Sequence, residues 1–235
     1  MTGARVIFIL FSVFLATSAE TYYVHRPDAR VYGHASYAIG AHIAPEGGLL
    51  VDLGVGFFDR FHIGLSYGGD NIVGTGQVNW YPAPGVQAKV AILDETKFPL
   101  SLAIGFDSQD PPGSNAGQWQ IPDVNPAGFY LVAGKLIPVG WVAFDLGIGG
   151  GYDIIDENAM HLYAVSGLVF ADVFSLTPEL TVYPQRDNGG NIDLALAARW
   201  EFYRGAGIEL ILADLLEGFE EGWTRSLRFQ IVQEF

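Results

Sequence analysis

Leu49-Leu50-Val51-Asp52-Leu53-Gly54-Val55-Gly56-Phe57 is followed by Phe58-Asp59-Arg60 and then by Phe61-His62-Ile63-Gly64-Leu65-Ser66-Tyr67-Gly68. In the first run Leu49, Val51, Leu53, Val55 and Phe57 alternate with Leu50, Asp52, Gly54 and Gly56. In the second, Phe61, Ile63, Leu65 and Tyr67 alternate with His62, Gly64, Ser66 and Gly68. A period of two residues places successive side chains on opposite faces of a strand, so the pair reads as a hairpin with a short turn. One face is large and apolar. The other is crowded with glycine and carries scattered polar groups, unlike the Lys-, Glu- and Thr-rich outer face of a water-soluble sandwich. Small residues on that face suit a confined lumen.

The same period recurs along the chain. Leu100, Leu102, Ile104 and Phe106 form one apolar row, Val142, Phe144, Leu146 and Ile148 another, and Ile192, Leu194, Leu196, Ala198 and Trp200 a third. Twelve strands are predicted, at 35–43, 49–57, 61–68, 85–93, 100–107, 127–137, 141–151, 160–170, 174–183, 191–202, 206–213 and 224–235. Segments 127–137 and 160–170 are apolar on both faces. Most strands approach the roughly 9–11 residues with which a tilted strand crosses a bilayer, and the count is even. The predicted fold is all-β: a transmembrane antiparallel up-and-down β-barrel of about twelve strands.

Composition supports this reading. Half of the 235 residues are hydrophobic, 14% are aromatic and only 16% are charged. A helical membrane protein of that kind needs an apolar run of about 18 residues or more, and none follows residue 19. At the N-terminus, Arg5, the apolar run Val6 to Ala16 and Thr17-Ser18-Ala19 predict a signal peptide over 1–19. Residues 20–34 are then expected to be a periplasmic lead-in and 35–235 the barrel. The chain has no Cys, which excludes disulfides, thiolate catalysis and Cys-ligated metals. A formal charge of −14 argues against a nucleic-acid partner.

The connections alternate as a barrel requires. Phe58 to Arg60, Asp94 to Pro99, Pro138 to Gly140, Ala171 to Phe174 and Tyr203 to Gly205 are short, while 69–84 and 108–126 are the longest. Phe57, Phe58, Phe61, Phe98, Trp141, Phe170, Phe174, Trp200, Phe202, Tyr203 and Phe235 fall at the short-turn ends. Tyr67, Trp80, Tyr81, Tyr130, Tyr152, Tyr183 and Trp223 fall near the other ends, and the two sets read as headgroup-level girdles. Long-loop carboxylates include Asp70, Asp110, Asp123, Asp153, Asp156, Glu157, Asp187, Asp214, Glu217, Glu220 and Glu221. They would gather divalent cations against lipopolysaccharide, or serve only as a solvated surface.

The last strand, with Leu227, Phe229 and Ile231 on one face and a terminal Phe235, resembles the signal by which the barrel-assembly machinery recognises its clients. Several segments resemble the barrel portion of the YjbH-type exopolysaccharide-associated outer-membrane family: Gly64 to Gly74, Pro84 to Val90, Ala103 to Gln109, Gly128-Phe129-Tyr130, Thr177 to Leu180 and Leu210 to Leu216. That resemblance implies an outer-membrane barrel of a Gram-negative bacterium, in contact with outer-membrane lipid and lipopolysaccharide, with an accessory role in surface polysaccharide export.

The strand phase predicts lumen-facing charges at Asp52, Lys89, Asp107, Lys135, Asp145, Glu179, Asp193, Arg199, Glu201, Glu209 and Arg228, seven acids to four bases. They fit a structural or accessory barrel whose charges pair across the lumen. They also fit an alternative, a narrow, weakly cation-preferring channel for small solutes. A third reading is a lipid hydrolase, which needs a nucleophile, a base and an orienting group in reach of each other. His62 shares a face with Ser66, and His161 lies near Asp156, Glu157 and Asn158, but no spacing defines a triad. No catalytic residue, cofactor or metal site is predicted, and the chain is read as a non-enzyme.

Overall fold

The structure, a computed structural model, describes residues 21–108, 128–153, 160–184, 192–216 and 223–235. The predicted signal peptide and the acids Asp110, Asp123, Asp156, Glu157, Asp187, Glu217, Glu220 and Glu221 lie outside the described residues. The strands are β1 (Ser36–Ile43), β2 (Leu49–Phe57), β3 (Phe61–Asp70), β4 (Asn79–Trp80), β5 (Gly85–Leu93), β6 (Ser101–Asp107), β7 (Gly128–Val139), β8 (Val142–Asp153), β9 (Met160–Phe170), β10 (Phe174–Val182), β11 (Ile192–Tyr203), β12 (Ala206–Ala213) and β13 (Thr224–Glu234). The two-residue β4 pairs only with the end of β3. The other twelve form one antiparallel ring, each bonded to its sequence neighbours and closed by β1 on β13 from Ser36↔Glu234 to Ile43↔Leu227. Every predicted strand is present, with ends shifted by at most two residues.

Closure leaves the ring without a free edge, as a sheet surrounded by lipid, which offers no hydrogen bonds, would require. The outward face is apolar and open: Leu53, Ile63, Leu65, Leu131 and Ile148 are each at least half exposed. Two short turns use the left-handed region to match the strand twist. Phe58 and Asp59, and likewise Ala171 and Asp172, have φ between 50° and 55°. At the other end Gly47, at φ +80°, lies where a Cβ would stand 1.8 Å from the Val73 carbonyl oxygen, and the Val73 N–H donates to the Gly47 carbonyl at 2.9 Å.

Three expectations change. Lys135 is on the outward face of β7, in phase with Phe129, Leu131 and Ile137, and opposite Leu146 of β8. The strand is apolar on both faces, so its pattern does not fix the phase. An outward Lys near the short-turn end can extend its ammonium towards the headgroups while its stem covers apolar surface. Tyr130 and Tyr183 are buried in the lumen rather than in the outer girdle, and Phe129 is the outward residue there. Asp214 is fully buried at φ +53° and donates its backbone N–H to Asp193 Oδ1 at 3.0 Å, so it is no surface-loop acid.

Candidate functional site

Residues 21–32, expected to lie outside the barrel, run inside it. Tyr23, Val24, His25, Arg26, Asp28, Ala29 and Tyr32 are all at most 3% exposed. A small hairpin forms at the start, with a bridge between Tyr22 and Pro27 and bonds from Tyr23 N–H to the Arg26 carbonyl and from Asp28 N–H to the Thr21 carbonyl. The chain then reaches β1 through His34, whose N–H donates to Asp59 Oδ1 at 2.7 Å and whose Nδ1 accepts from the Phe58 N–H at 3.1 Å. Residues 21–32 are called the plug below.

Five of the predicted lumen charges, Lys89, Asp107, Asp145, Glu179 and Arg228, hold it directly. The Glu179 carboxylate on β10 accepts the backbone N–H groups of Val24, His25 and Arg26 at 3.1–3.2 Å. Lys89 Nζ on β5 donates to the carbonyls of Thr21, Asp28 and Arg30 at 2.7, 2.8 and 3.3 Å. Arg228 on β13 donates to the Val24 carbonyl at 2.6 Å and pairs with Glu209 at 2.9 Å. Arg30 bridges Asp28 of the plug and, at 2.6 Å, Asp145 of β8. Tyr22 donates its hydroxyl to Asp107. Arg26 donates to the hydroxyls of Thr181 and Tyr183 and lies over the Tyr183 ring. A buried charge without partners is costly, and here Glu179, Lys89, Arg228, Asp145 and Asp107 of the wall each meet a complementary group of residues 21–32.

Other predicted residues serve the wall itself. Arg199 donates to Gln230 Oε1 at 3.1 Å, and Gln230 in turn donates to the Tyr32 hydroxyl at 2.8 Å. Glu201 accepts the Gly205 N–H at the β11–β12 turn, and Asp193 accepts that of Asp214. Asp52 faces the space left beside the plug. The glycines of the lumen face make room. A Cβ at Gly147 would stand 2.5 Å from the Tyr23 ring, and one at Gly56 only 2.2 Å from the Gly33 carbonyl oxygen. Apolar packing completes the fit, with Val24 against Ala195, Ala197, Ile211 and Ala213.

Sequence reasoning missed Tyr22, Tyr23, Arg26, Arg30 and Tyr32. The available signal was the density of tyrosines and paired charges in 21–32, unusual for a solvated linker. No hydrolytic constellation forms among the described residues. His62 Nδ1 and Nε2 and Ser66 Oγ have no hydrogen-bond partner, and His161 packs near Tyr163 and Tyr183. No group of three metal-ligating side chains occurs among the described residues.

A closed twelve-strand antiparallel ring with an apolar outside and a charged inside is a porin-like outer-membrane barrel in fold. One solved structure supports this fold. The KdgM porin superposes with a TM-score of 0.51 at 10% identity, over 85% of this chain and 99% of that one. A NanC porin structure gives 0.48 at 9% identity over 85% and 99%, and the COG4313 outer membrane channel from Pseudomonas putida F1 gives 0.44 at 12% over 88% and 98%. No family model and no curated protein matches the chain. The resemblance to the YjbH-type family therefore finds no support.

Proposed function

We propose that this chain is a narrow passive channel of the Gram-negative outer membrane whose bore is occupied by its own N-terminal segment. One observation carries the reading: residues 21–32 run inside the lumen and pack there against wall side chains such as Tyr130 and Tyr163. About eight strands suffice for a barrel that its own side chains fill, and about sixteen leave an open channel. Twelve strands enclose more space than their side chains occupy, and a segment that runs on through His34 into β1 takes up that space. The likeness of the fold to the KdgM porin supports the same reading. The exposed apolar band supports the location, in contact with outer-membrane lipid and lipopolysaccharide. We assign Leu227, Phe229, Ile231 and Phe235, of which the first three stand outward on β13, to recognition by the barrel-assembly machinery.

A polysaccharide-export role is less well supported, because residues 21–32 occupy the lumen through which a sugar chain would run. The reading assigns no catalytic step to any residue. Purified full-length protein and a variant lacking residues 21–32 should be compared in planar bilayers. The variant is expected to show conductance steps several-fold larger than the full chain. Equal traces from two folded proteins would overturn the reading.

A further inference from the structure

We propose that the lumen of this barrel is a peptide-binding site, with residues 21–32 as its resident occupant, exchangeable for a separate peptide of the same hairpin shape. This deepens the channel reading and rests on it. Four wall side chains hold eight backbone groups of the plug. Glu179 takes the N–H groups of Val24, His25 and Arg26, and Lys89 the carbonyls of Thr21, Asp28 and Arg30. Arg228 donates to the Val24 carbonyl, and the Tyr163 hydroxyl to that of Pro27 at 2.8 Å. Amide N–H and carbonyl groups belong to any polypeptide, so this part of the recognition does not depend on sequence.

The two charges are placed for a hairpin. The three N–H donors come from consecutive residues at its tip, between the bridged Tyr22 and Pro27, and face the carboxylate on β10. The Thr21 and Asp28 carbonyls come from its open end and face the ammonium on β5. β5 and β10 are five strands apart in the ring of twelve, nearly opposite one another. An anion on one side of the bore and a cation on the other thus span one peptide hairpin from tip to base. A sugar offers hydroxyls to both groups but no run of consecutive amide donors. Side-chain contacts add preference, Tyr22 with Asp107 and Arg26 with Thr181 and Tyr183. The ligand that fits is a short peptide bearing a tyrosine and, four residues on, an arginine.

Full-length Val24→Pro, His25→Pro protein loses two donors from the resident plug and keeps the wall unchanged. It should be recorded in planar bilayers before and after addition of a free peptide with the sequence Thr21 to Tyr32. Large steps from the variant, closed by the peptide in a dose-dependent way, are the expected result. The same peptide N-methylated at Val24, His25 and Arg26 keeps every side chain but none of the three donors, and should need a concentration about tenfold higher. Maltotetraose, a neutral sugar chain, should leave the steps open. Where the proline variant fails to form a barrel, as judged by heat-modifiable migration, full-length Tyr22→Phe, Arg26→Ala protein loosens the plug through its side chains and takes the same test. Equal closure by the two peptides, closure by maltotetraose at the same concentration, or large steps that neither peptide closes would overturn the peptide site and leave the channel reading standing. Large steps absent from both folded variants would remove the two readings together.

Discussion

Glu179 Oε2 lies 3.1 Å from the backbone nitrogen of Val24, and the same carboxylate also accepts the N–H groups of His25 and Arg26. A side chain of the barrel wall thus recognises plug backbone directly. A carboxylate offers only acceptors, whereas an amide presents two donors to one side of the same cluster. Glu179→Gln should therefore loosen the plug by on the order of 2 kcal/mol, about thirty-fold faster exchange of those three amides. Hydrogen exchange in detergent micelles reads this directly, with barrel formation checked by heat-modifiable migration. Unchanged exchange would show that the plug is held elsewhere.

Lys89 performs the complementary task, giving one ammonium to three plug carbonyls. Lys89→Met keeps the stem and removes the donors. Its effect on bilayer conductance should be an increased frequency of large steps. The Glu179→Gln, Lys89→Met double variant should gain less than the sum of the two, because a plug already released cannot be released again. Full additivity would mean that the two residues hold independent segments.

Gly147 and Tyr23 meet at a distance that only glycine permits. Gly147→Ala should strain the plug by roughly 1–3 kcal/mol through overpacking. Tyr23→Ala should relieve that strain, so the double variant should regain the amide protection that Gly147→Ala loses. Absence of rescue would remove Tyr23 from the wall at Gly147.

The strands were legible because each carries its apolar side chains at every second position, from Leu49 to Phe57 as from Ile192 to Trp200. Where both faces are apolar, as in β7, the strand could be placed but its phase could not, and Lys135 was assigned to the wrong face. The plug was illegible for another reason. Residues 21–32 have no period, because their burial depends on a cavity made by twelve other segments. Lys89, Asp107, Glu179 and Glu209 are buried in the lumen, yet charges alone do not say whether their partner is water, each other or a returning stretch of chain.

Lys135 gives a contrast with Lys89. An outward Lys near a membrane interface costs about 0–1 kcal/mol, so Lys135→Leu should leave barrel stability unchanged or raise it by that amount. Urea-dependent folding into liposomes measures it. A loss of stability comparable to that of Lys89→Leu would return Lys135 to the lumen.

The central claim is that the N-terminal segment fills the bore and sets its conductance. Val24 and Ala195 pack in one buried cluster, and the absence of native Cys allows a clean tether between them. The Val24→Cys, Ala195→Cys double variant should be recorded in a planar bilayer, first oxidised and then after addition of reductant to the same membrane. Small steps alone while the tether is intact, joined by large steps after reduction, are predicted. Large steps in the oxidised protein, or no change on reduction, would contradict the account.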